Sequence, residues 1–270
     1  MHWEELTGDR FAEAVEESQG VCLVPLSVIE RHGHHLPLAT DMYIGREVCR
    51  RASLVEPAIV FPDVVFTQIP EARHLAGTIS IDGDLILRLL DNICREIARN
   101  GLKKIVLVNA HGGNQNLLPF FNELQLYSPR DYVVYLATPH YLPMETPDVP
   151  WDPASDGHAG PGETSLILAI RPDLVDMRKV PTGDEGKALN RLQTLRGAGV
   201  HTGIWWYADH PTHYQGDASL ATAEAGERLL EAMASALARA VGTIKEDTTT
   251  KRLQDEFYAA SRSRGGPSRG

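Results

Sequence analysis

Short apolar runs alternate with longer segments whose apolar residues recur at helical spacing, and this alternation constrains the fold more than any other feature. It favours a mostly parallel sheet covered by helices, and therefore an α/β fold. The clearest helix has isoleucine or leucine at 86, 90, 93 and 97, followed by a glycine stop at 101. Buried strands are predicted at 21–26, 59–66, 104–108 and 132–137. Helices are predicted at 84–100, 117–126, 163–170 and 218–241.

The chain of 270 residues shows no internal repeat and no linker-like change of composition before its last segment. We therefore predict one domain over 1–245 and a partly disordered tail over 246–270, which ends in glycine, serine, proline and arginine. A proline-rich stretch at 139–161 predicts a long loop, and long loops in compact domains tend to be functional.

The charge balance argues against two classes of partner. With 26 basic and 36 acidic residues the net charge is −10, which gives nucleic acid and anionic membranes no general electrostatic reason to bind. No apolar run is long enough to span a membrane, and the first residues do not resemble a signal peptide, so we expect a cytoplasmic protein. The 3 cysteines predict core side chains instead of disulfides or a thiolate metal site.

Histidine and acidic residues cluster where predicted strands end and where a helix begins. Glu30 and His32 follow the first strand and would lie on one side of an extended chain, roughly 6 to 7 Å apart. Asp41 is close enough to fold back as a third ligand, and His111 follows the strand at 104–108. A third cluster contains His158 and Glu163, a candidate proton carrier and a further carboxylate.

Imidazole and carboxylate without thiolate suit zinc, manganese or ferrous iron in an open catalytic site. The alternative for any one histidine is a hydrogen bond in the core or a helix cap. Three separate clusters in comparable positions favour the metal interpretation, because buried charges without partners are costly.

These segments resemble the creatinine amidohydrolase (creatininase) family. The family pattern Glu-x-His-Gly-x-His-Leu-Pro-x-x-Thr-Asp, then His-Gly-Gly-Asn, then His-Ala-Gly-x-x-Glu-Thr-Ser occurs in that order, and the likeness extends over about 21–237. The resemblance implies a three-layer α/β/α fold, a homo-oligomer up to a hexamer, and a hydrolase of non-standard C–N amide bonds with two divalent ions. It implies that Glu30 and His111 hold one ion, that His32 holds the other, and that Asp41 bridges both.

Two glycines depart from the pattern of true creatininases, which have tyrosine and a metal-binding glutamate where this chain has Gly112 and Gly113. The second ion would lack one protein ligand, which water or Glu163 would replace, and creatinine is not the expected substrate. The Gly-Gly form resembles the branch of formylaminopyrimidine deformylases and of the peptidase of mycofactocin maturation.

The resulting hypothesis is that a metal-bound hydroxide attacks the carbonyl of a small amide substrate. His158 would protonate the departing nitrogen, or it would orient Glu163. Asn114 would hold His111, contact substrate or cap a helix, and His35, Gly112 and Gly113 are further candidates for contacts with substrate or ligands. Alternatives are a mycofactocin-type peptidase and a non-catalytic phosphate-binding protein with its site at the His-Gly-Gly-Asn turn. Three other histidines, His201, His210 and His213, could approach the site of a neighbouring subunit, but nothing in their spacing requires it.

Overall fold

A computed structural model describes residues 1–262 and has a parallel β-sheet at its centre. The sheet has the strand order β2-β1-β3-β4, and all three pairings are parallel. Its strands are β1 (Val21–Leu26), β2 (Ile59–Val60), β3 (Lys104–Asn109) and β4 (Val133–Ala137). This confirms the predicted α/β fold with a parallel sheet.

Helices flank the sheet along the described part of the chain. They are α1 (Gly8–Glu17), α2 (Thr40–Val55), α3 (Gly83–Arg99), α4 (Leu117–Leu124), α5 (Pro161–Ile170), α6 (Gln193–Gly197), α7 (Trp205–Asp209), α8 (Ala223–Glu246) and α9 (Thr249–Arg262). Short 3₁₀ turns occur between several of them. Within residues 1–262, no helix is both long and apolar enough to cross a membrane.

The two faces of the sheet pack into two separate cores, which makes the molecule a three-layer sandwich. Because side chains alternate along a strand, Leu23 of β1 lies in the core formed with α2, α5 and α8, whereas Val24 lies in the core formed with α3 and α4. Strand β1 is buried along its whole length. The cysteines Cys22, Cys49 and Cys94 are buried and free, as the sequence predicted.

Two elements differ from the sequence prediction for local reasons. The strand predicted at 59–66 is regular only at Ile59–Val60, because its pairing with β1 then shifts by one residue. The Phe61 N–H donates to the Leu23 carbonyl, and the next donor to β1 is Val64, where the chain forms an isolated bridge. Helix α8 begins at Ala223 instead of 218, because the Thr222 side chain accepts the N–H of Ala225 and caps it there.

The segment after 245 contains a helix where the sequence predicted partial disorder. The Asp247 carboxylate accepts the N–H groups of Thr249 and Thr250 at 2.9 and 3.1 Å and so starts α9. The buried Tyr258 hydroxyl then donates to the Gln125 carbonyl at 2.7 Å, which anchors α9 to the body of the molecule. The rest of the predicted tail, 263–270, lies outside the described residues.

The order of the strands creates a crevice at one edge of the sheet. From β1 the chain moves to β2 on one side and then crosses to β3 on the other side of β1. At the carboxyl ends of this central pair, Leu26 lies opposite Asn109. In α/β sheets, ligands bind at such a reversal, beyond the carboxyl ends of the strands.

Candidate metal centre

Four chain segments bring carboxylates and imidazoles to this crevice. Glu30 and His32 follow β1, and His111 follows β3. Asp41 lies in the first turn of α2, and Glu163 lies in the first turn of α5. Four of these five side chains are at most 4% exposed, and only Glu163 is half-buried.

The first group consists of Glu30, Asp41 and His111. The Nδ1 atom of His111 is 3.0 Å from Glu30 Oε1 and 2.9 Å from Asp41 Oδ2. The ligand atoms of these three residues lie within 4.8 Å of one another, which is close enough for one cation to contact all three.

The second group consists of His32, Asp41 and Glu163. The Nε2 atom of His32 is 3.2 Å from Asp41 Oδ1 and 3.7 Å from Glu163 Oε2. Asp41 therefore presents one oxygen to each group. Glu163 thus occupies a position from which it can complete the second group.

The hydrogen bonds of the two histidines indicate which nitrogen is free to bind a metal. His111 Nε2 lies 3.1 Å from the Gln68 carbonyl, and His32 Nδ1 lies 3.3 Å from the Glu30 carbonyl. Because a carbonyl can only accept, each of these nitrogens carries the proton. The lone pair of the other nitrogen then faces carboxylate oxygens, and Asp41 Oδ2 has no hydrogen-bond donor. Lone pairs facing each other in a buried site require a cation between them, so this donor set fits a divalent metal ion.

The pKa shifts of the side chains in these two groups also indicate that the site favours positive charge. Burial opposes a charge on His32, but Asp41, Glu163 and Glu30 together raise its pKa to about 10. Burial likewise opposes the charge of Asp41, yet His32 and His111 hold the pKa of that carboxyl below its usual value. For Glu163 burial is the largest effect and raises the pKa to about 7.

His158 lies at the open side of the cluster. Its Nε2 donates to the Arg31 carbonyl at 2.9 Å, and its Nδ1 is 4.0 Å from Glu163 Oε2. Burial, together with the nearby charge of His32, lowers the pKa of His158 to about 3. The ring is therefore neutral at neutral pH, and Nδ1 offers a lone pair.

Asn114 and its neighbours shape the loop behind His111. The Asn109 side-chain oxygen accepts the His111 backbone N–H at 3.2 Å and the Asn114 side-chain amide at 3.3 Å. Asn114 thus braces the loop that carries His111. A Cβ atom at Gly113 would lie 2.5 Å from His111 Nε2, whereas Gly112 has open space around it. Position 113 therefore requires glycine for the observed approach, and position 112 does not.

His35 is outside the groups that are close enough to share a cation. Its Nε2 pairs with the Thr164 hydroxyl at 2.9 Å, and burial lowers its pKa to about 4. His35 therefore links the loop after β1 to the first turn of α5.

His213 and Gln68 are in the site although the sequence patterns did not select them. His213 Nε2 lies 2.6 Å from Glu30 Oε2, a contact across 183 residues of chain, and the Gln68 carbonyl accepts from His111. No motif or spacing marks either residue, because Gln68 acts through its backbone and His213 lies in an irregular segment.

Comparison with known proteins assigns the family. A family model described as creatininase, creatinine amidohydrolase, matches residues 4–241. This chain belongs to the creatininase family. The resemblance predicted from the three motifs is thus confirmed, and the creatininase family is one of metal-dependent amidohydrolases.

Relatives of this creatininase-family chain differ in the reactions that their names describe. Creatinine amidohydrolase of Pseudomonas putida is 29% identical over 195 residues, which cover 65% of this chain and 74% of that protein. Mycofactocin precursor peptide peptidase of Mycolicibacterium smegmatis is 33% identical over 224 residues, covering 80% and 82%. A solved creatininase variant of Zn–Zn type superimposes with a TM-score of 0.72 at 25% identity and covers 91% of this chain and 98% of that one.

Proposed function

We propose that this protein hydrolyses a C–N amide bond other than an ordinary peptide bond in a small molecule, using two divalent metal ions. The observation that supports this most directly is the pair of ligand groups that share Asp41. One group places Glu30 and His111 around one Asp41 oxygen, and the other places His32 and Glu163 around the second oxygen.

The proposed ions are zinc, manganese or ferrous iron, which the oxygen and imidazole donors suit. When bound, two such ions activate a water molecule and polarise the substrate carbonyl. Glu30, Asp41 and Glu163 supply three negative charges, and the two histidines are neutral ligands. The resemblance of the solved Zn–Zn creatininase supports the two-ion assignment.

His158 is the proposed proton carrier. Because its Nε2 donates to the Arg31 carbonyl, its free Nδ1 accepts a proton from the attacking water and then donates it to the departing nitrogen. The hydrogen bond to the Arg31 carbonyl holds the ring in place, with Nδ1 4.0 Å from the half-buried Glu163 carboxylate.

A mycofactocin-type peptidase is the second candidate. The relative of that name is 33% identical and covers four fifths of this chain, which favours a substrate larger than creatinine. The space beside Gly112, where true creatininases carry a tyrosine, is consistent with a larger substrate. A phosphate-binding role fits less well, because Glu30 and Asp41 lie beside His111 and would repel a phosphate.

We also propose that the protein is a cytoplasmic homo-oligomer, up to a hexamer. The chain exposes apolar side chains on α4 and in the turn after it, namely Phe120 at 51%, Leu126 at 47% and Tyr127 at 86%. Such side chains are typical of surfaces that a partner covers. Its acidic charge argues against nucleic acid and membranes as partners.

Metal analysis joined to an activity panel tests the proposed function. We expect about two ions per chain and turnover of a formylaminopyrimidine, but not of creatinine, with Mn²⁺, Zn²⁺ or Fe²⁺. Turnover of a short peptide instead would favour the second candidate. Glu163→Gln should lower the content to about one ion, whereas the control Glu224→Gln, at an exposed carboxylate in the first turn of α8, should keep both. Metal-free wild-type protein with full turnover would refute the proposal, and two ions in Glu163→Gln would refute the role of Glu163.

A further inference from the structure

His213 connects a distant segment to the metal cluster. The side chain is 2% exposed, and its Nε2 lies 2.6 Å from Glu30 Oε2. On the other side of the ring, the Trp206 indole nitrogen lies 2.6 Å from His213 Nδ1. The three side chains therefore form a continuous chain of hydrogen bonds that ends on a candidate metal ligand.

Trp206 determines which nitrogen of His213 carries the proton. An indole N–H can only donate, so Nδ1 of His213 accepts and the proton lies on Nε2. Nε2 then donates to Glu30 Oε2. This hydrogen bond occupies one Glu30 oxygen and leaves Oε1 directed at His111 Nδ1, 3.0 Å away.

The backbone at His213 is in an unfavourable conformation that its surroundings maintain. Its φ of 56° lies in the left-handed region, which is sterically unfavourable for a residue with a Cβ. The His213 N–H bonds to the His210 carbonyl at 3.0 Å, and the next residues are tied down by the Gln215 N–H to the His158 carbonyl at 2.9 Å. Such conformations concentrate at functional sites, where neighbouring contacts enforce a required side-chain direction.

We propose that His213 is a positioning residue that orients Glu30 toward the ion shared with Asp41 and His111, and that Trp206 fixes the tautomer that makes this possible. Hydrogen-bonding partners of metal ligands generally act in this way. The inference rests on the proposed two-metal function, and it adds a residue outside the ligand groups. We expect the effect at the ion shared with Asp41 and His111, because Glu30 Oε1 lies 3.0 Å from His111 Nδ1 but 3.9 Å from His32 Nε2.

Titration of the metal-free full-length protein with Mn²⁺, with a chelator as competitor, tests the proposal. In His213→Ala we expect one of the two Mn²⁺ ions to bind about 10- to 100-fold more weakly and the other to bind as in the wild type. His213→Gln should restore most of the lost affinity, since its amide places a donor near the former Nε2. Trp206→Phe keeps an aromatic ring but lacks the indole N–H, and we expect a smaller loss at the same ion.

His210→Ala is the matched control. His210 is also a buried histidine of this segment and lies 4.7 Å from the Trp206 ring, but no hydrogen bond joins it to Glu30 among the described contacts. We expect it to keep both affinities.

Unchanged Mn²⁺ binding in His213→Ala, equal weakening of both ions, or an equal loss in His210→Ala would overturn the proposal. If His213→Ala does not fold, the affinities of His213→Gln and Trp206→Phe decide by the same criteria. A wild-type chain that binds no Mn²⁺, Zn²⁺ or Fe²⁺ would instead overturn the proposed function itself.

Discussion

Each carboxylate at the site is stabilised by groups close to it. Asp41 and Glu163 each lie in the first turn of a helix, where the helix dipole stabilises a carboxylate. Glu30 has no helix behind it and receives a hydrogen bond from His213 instead. These contacts do not neutralise the carboxylates. The buried carboxylates and imidazole lone pairs that converge at the site therefore attract cations strongly. The same residues also leave His158 Nδ1 as a free acceptor beside them.

Replacing His158 tests its role as a proton carrier. We expect His158→Ala to lower kcat by about 10²- to 10⁴-fold, the usual contribution of general acid–base catalysis. Metal content should stay as in the wild type, because His158 is not a ligand in the proposed arrangement. The exposed His74 serves as a control, and His74→Ala should keep its turnover. Undiminished kcat in His158→Ala would contradict the proton-transfer role, and a lost ion would make His158 a ligand.

Close helix packing carries the ligands to their positions. A Cβ at Gly226 of α8 would lie 1.9 Å from the Ser165 carbonyl of α5, two residues from Glu163. A Cβ at Gly45 of α2 would lie 2.9 Å from the Ala110 side chain, the residue before His111. Glycine at 226 therefore allows α8 to pack closely against α5, and glycine at 45 allows α2 to pack closely against the loop after β3. The distances between the candidate ligands therefore depend partly on α8, a helix that contains none of them.

Two glycines of α8 provide a matched pair for this packing argument. We expect Gly226→Ala to destabilise the protein by about 2 kcal/mol or more, because the added methyl group collides with backbone that cannot move aside cheaply. Gly242→Ala should instead stabilise it by about 0.5–1 kcal/mol, since a Cβ there meets only the Glu56 carboxyl group, with Oε2 at 3.7 Å, and alanine favours the helix. Urea unfolding of both variants measures the difference. Similar midpoints for the two variants would contradict the proposed close contact of α5 and α8.

In the whole molecule, two cores on opposite faces of one sheet hold the cluster at the sheet's edge. The core with α2, α5 and α8 supports Asp41 and Glu163, while the core with α3 and α4 supports the other face of β1 and β3. Glu30 and His111 extend from those two strands. Folding is therefore required to assemble the ligands, and ions that bind only the folded protein should stabilise all of it.

Metal removal should lower the stability of the whole protein. At an Mn²⁺ concentration of about 100 times Kd, one bound ion contributes about 2.7 kcal/mol to the free energy of unfolding. We expect a higher Tm with Mn²⁺ than after EDTA treatment, as measured by calorimetry. Glu30→Gln, which removes a ligand charge, should show a smaller rise in Tm. An Mn²⁺-independent Tm in the wild type would argue against ions bound at this buried cluster.

Local patterns were sufficient to predict much of the fold and the candidate ligands. Apolar periodicity located β1, β3, β4 and α3 to within a few residues, and the motifs singled out Glu30, His32, Asp41, His111 and Glu163. Helix α2 was not predicted, although segment 40–55 has apolar residues at the helical spacing 44, 48, 49 and 52 and its first turn carries Asp41. Helix α9 was also missed, since its start depends on a side-chain cap at Asp247 and its anchor is one distant contact of Tyr258.

Local sequence patterns are thus enough to predict strand ends, helix starts and the candidate ligands beside them, because those signals depend on neighbours a few positions away. Tertiary contacts place the two Asp41 oxygens beside His111 and His32, bring Glu163 to within 3.7 Å of His32, and join His213 to Glu30 by a hydrogen bond. These contacts join segments far apart in the chain. Packing of the sheet and helices sets the geometry of these contacts, and a sequence pattern contains no information on distances between such segments.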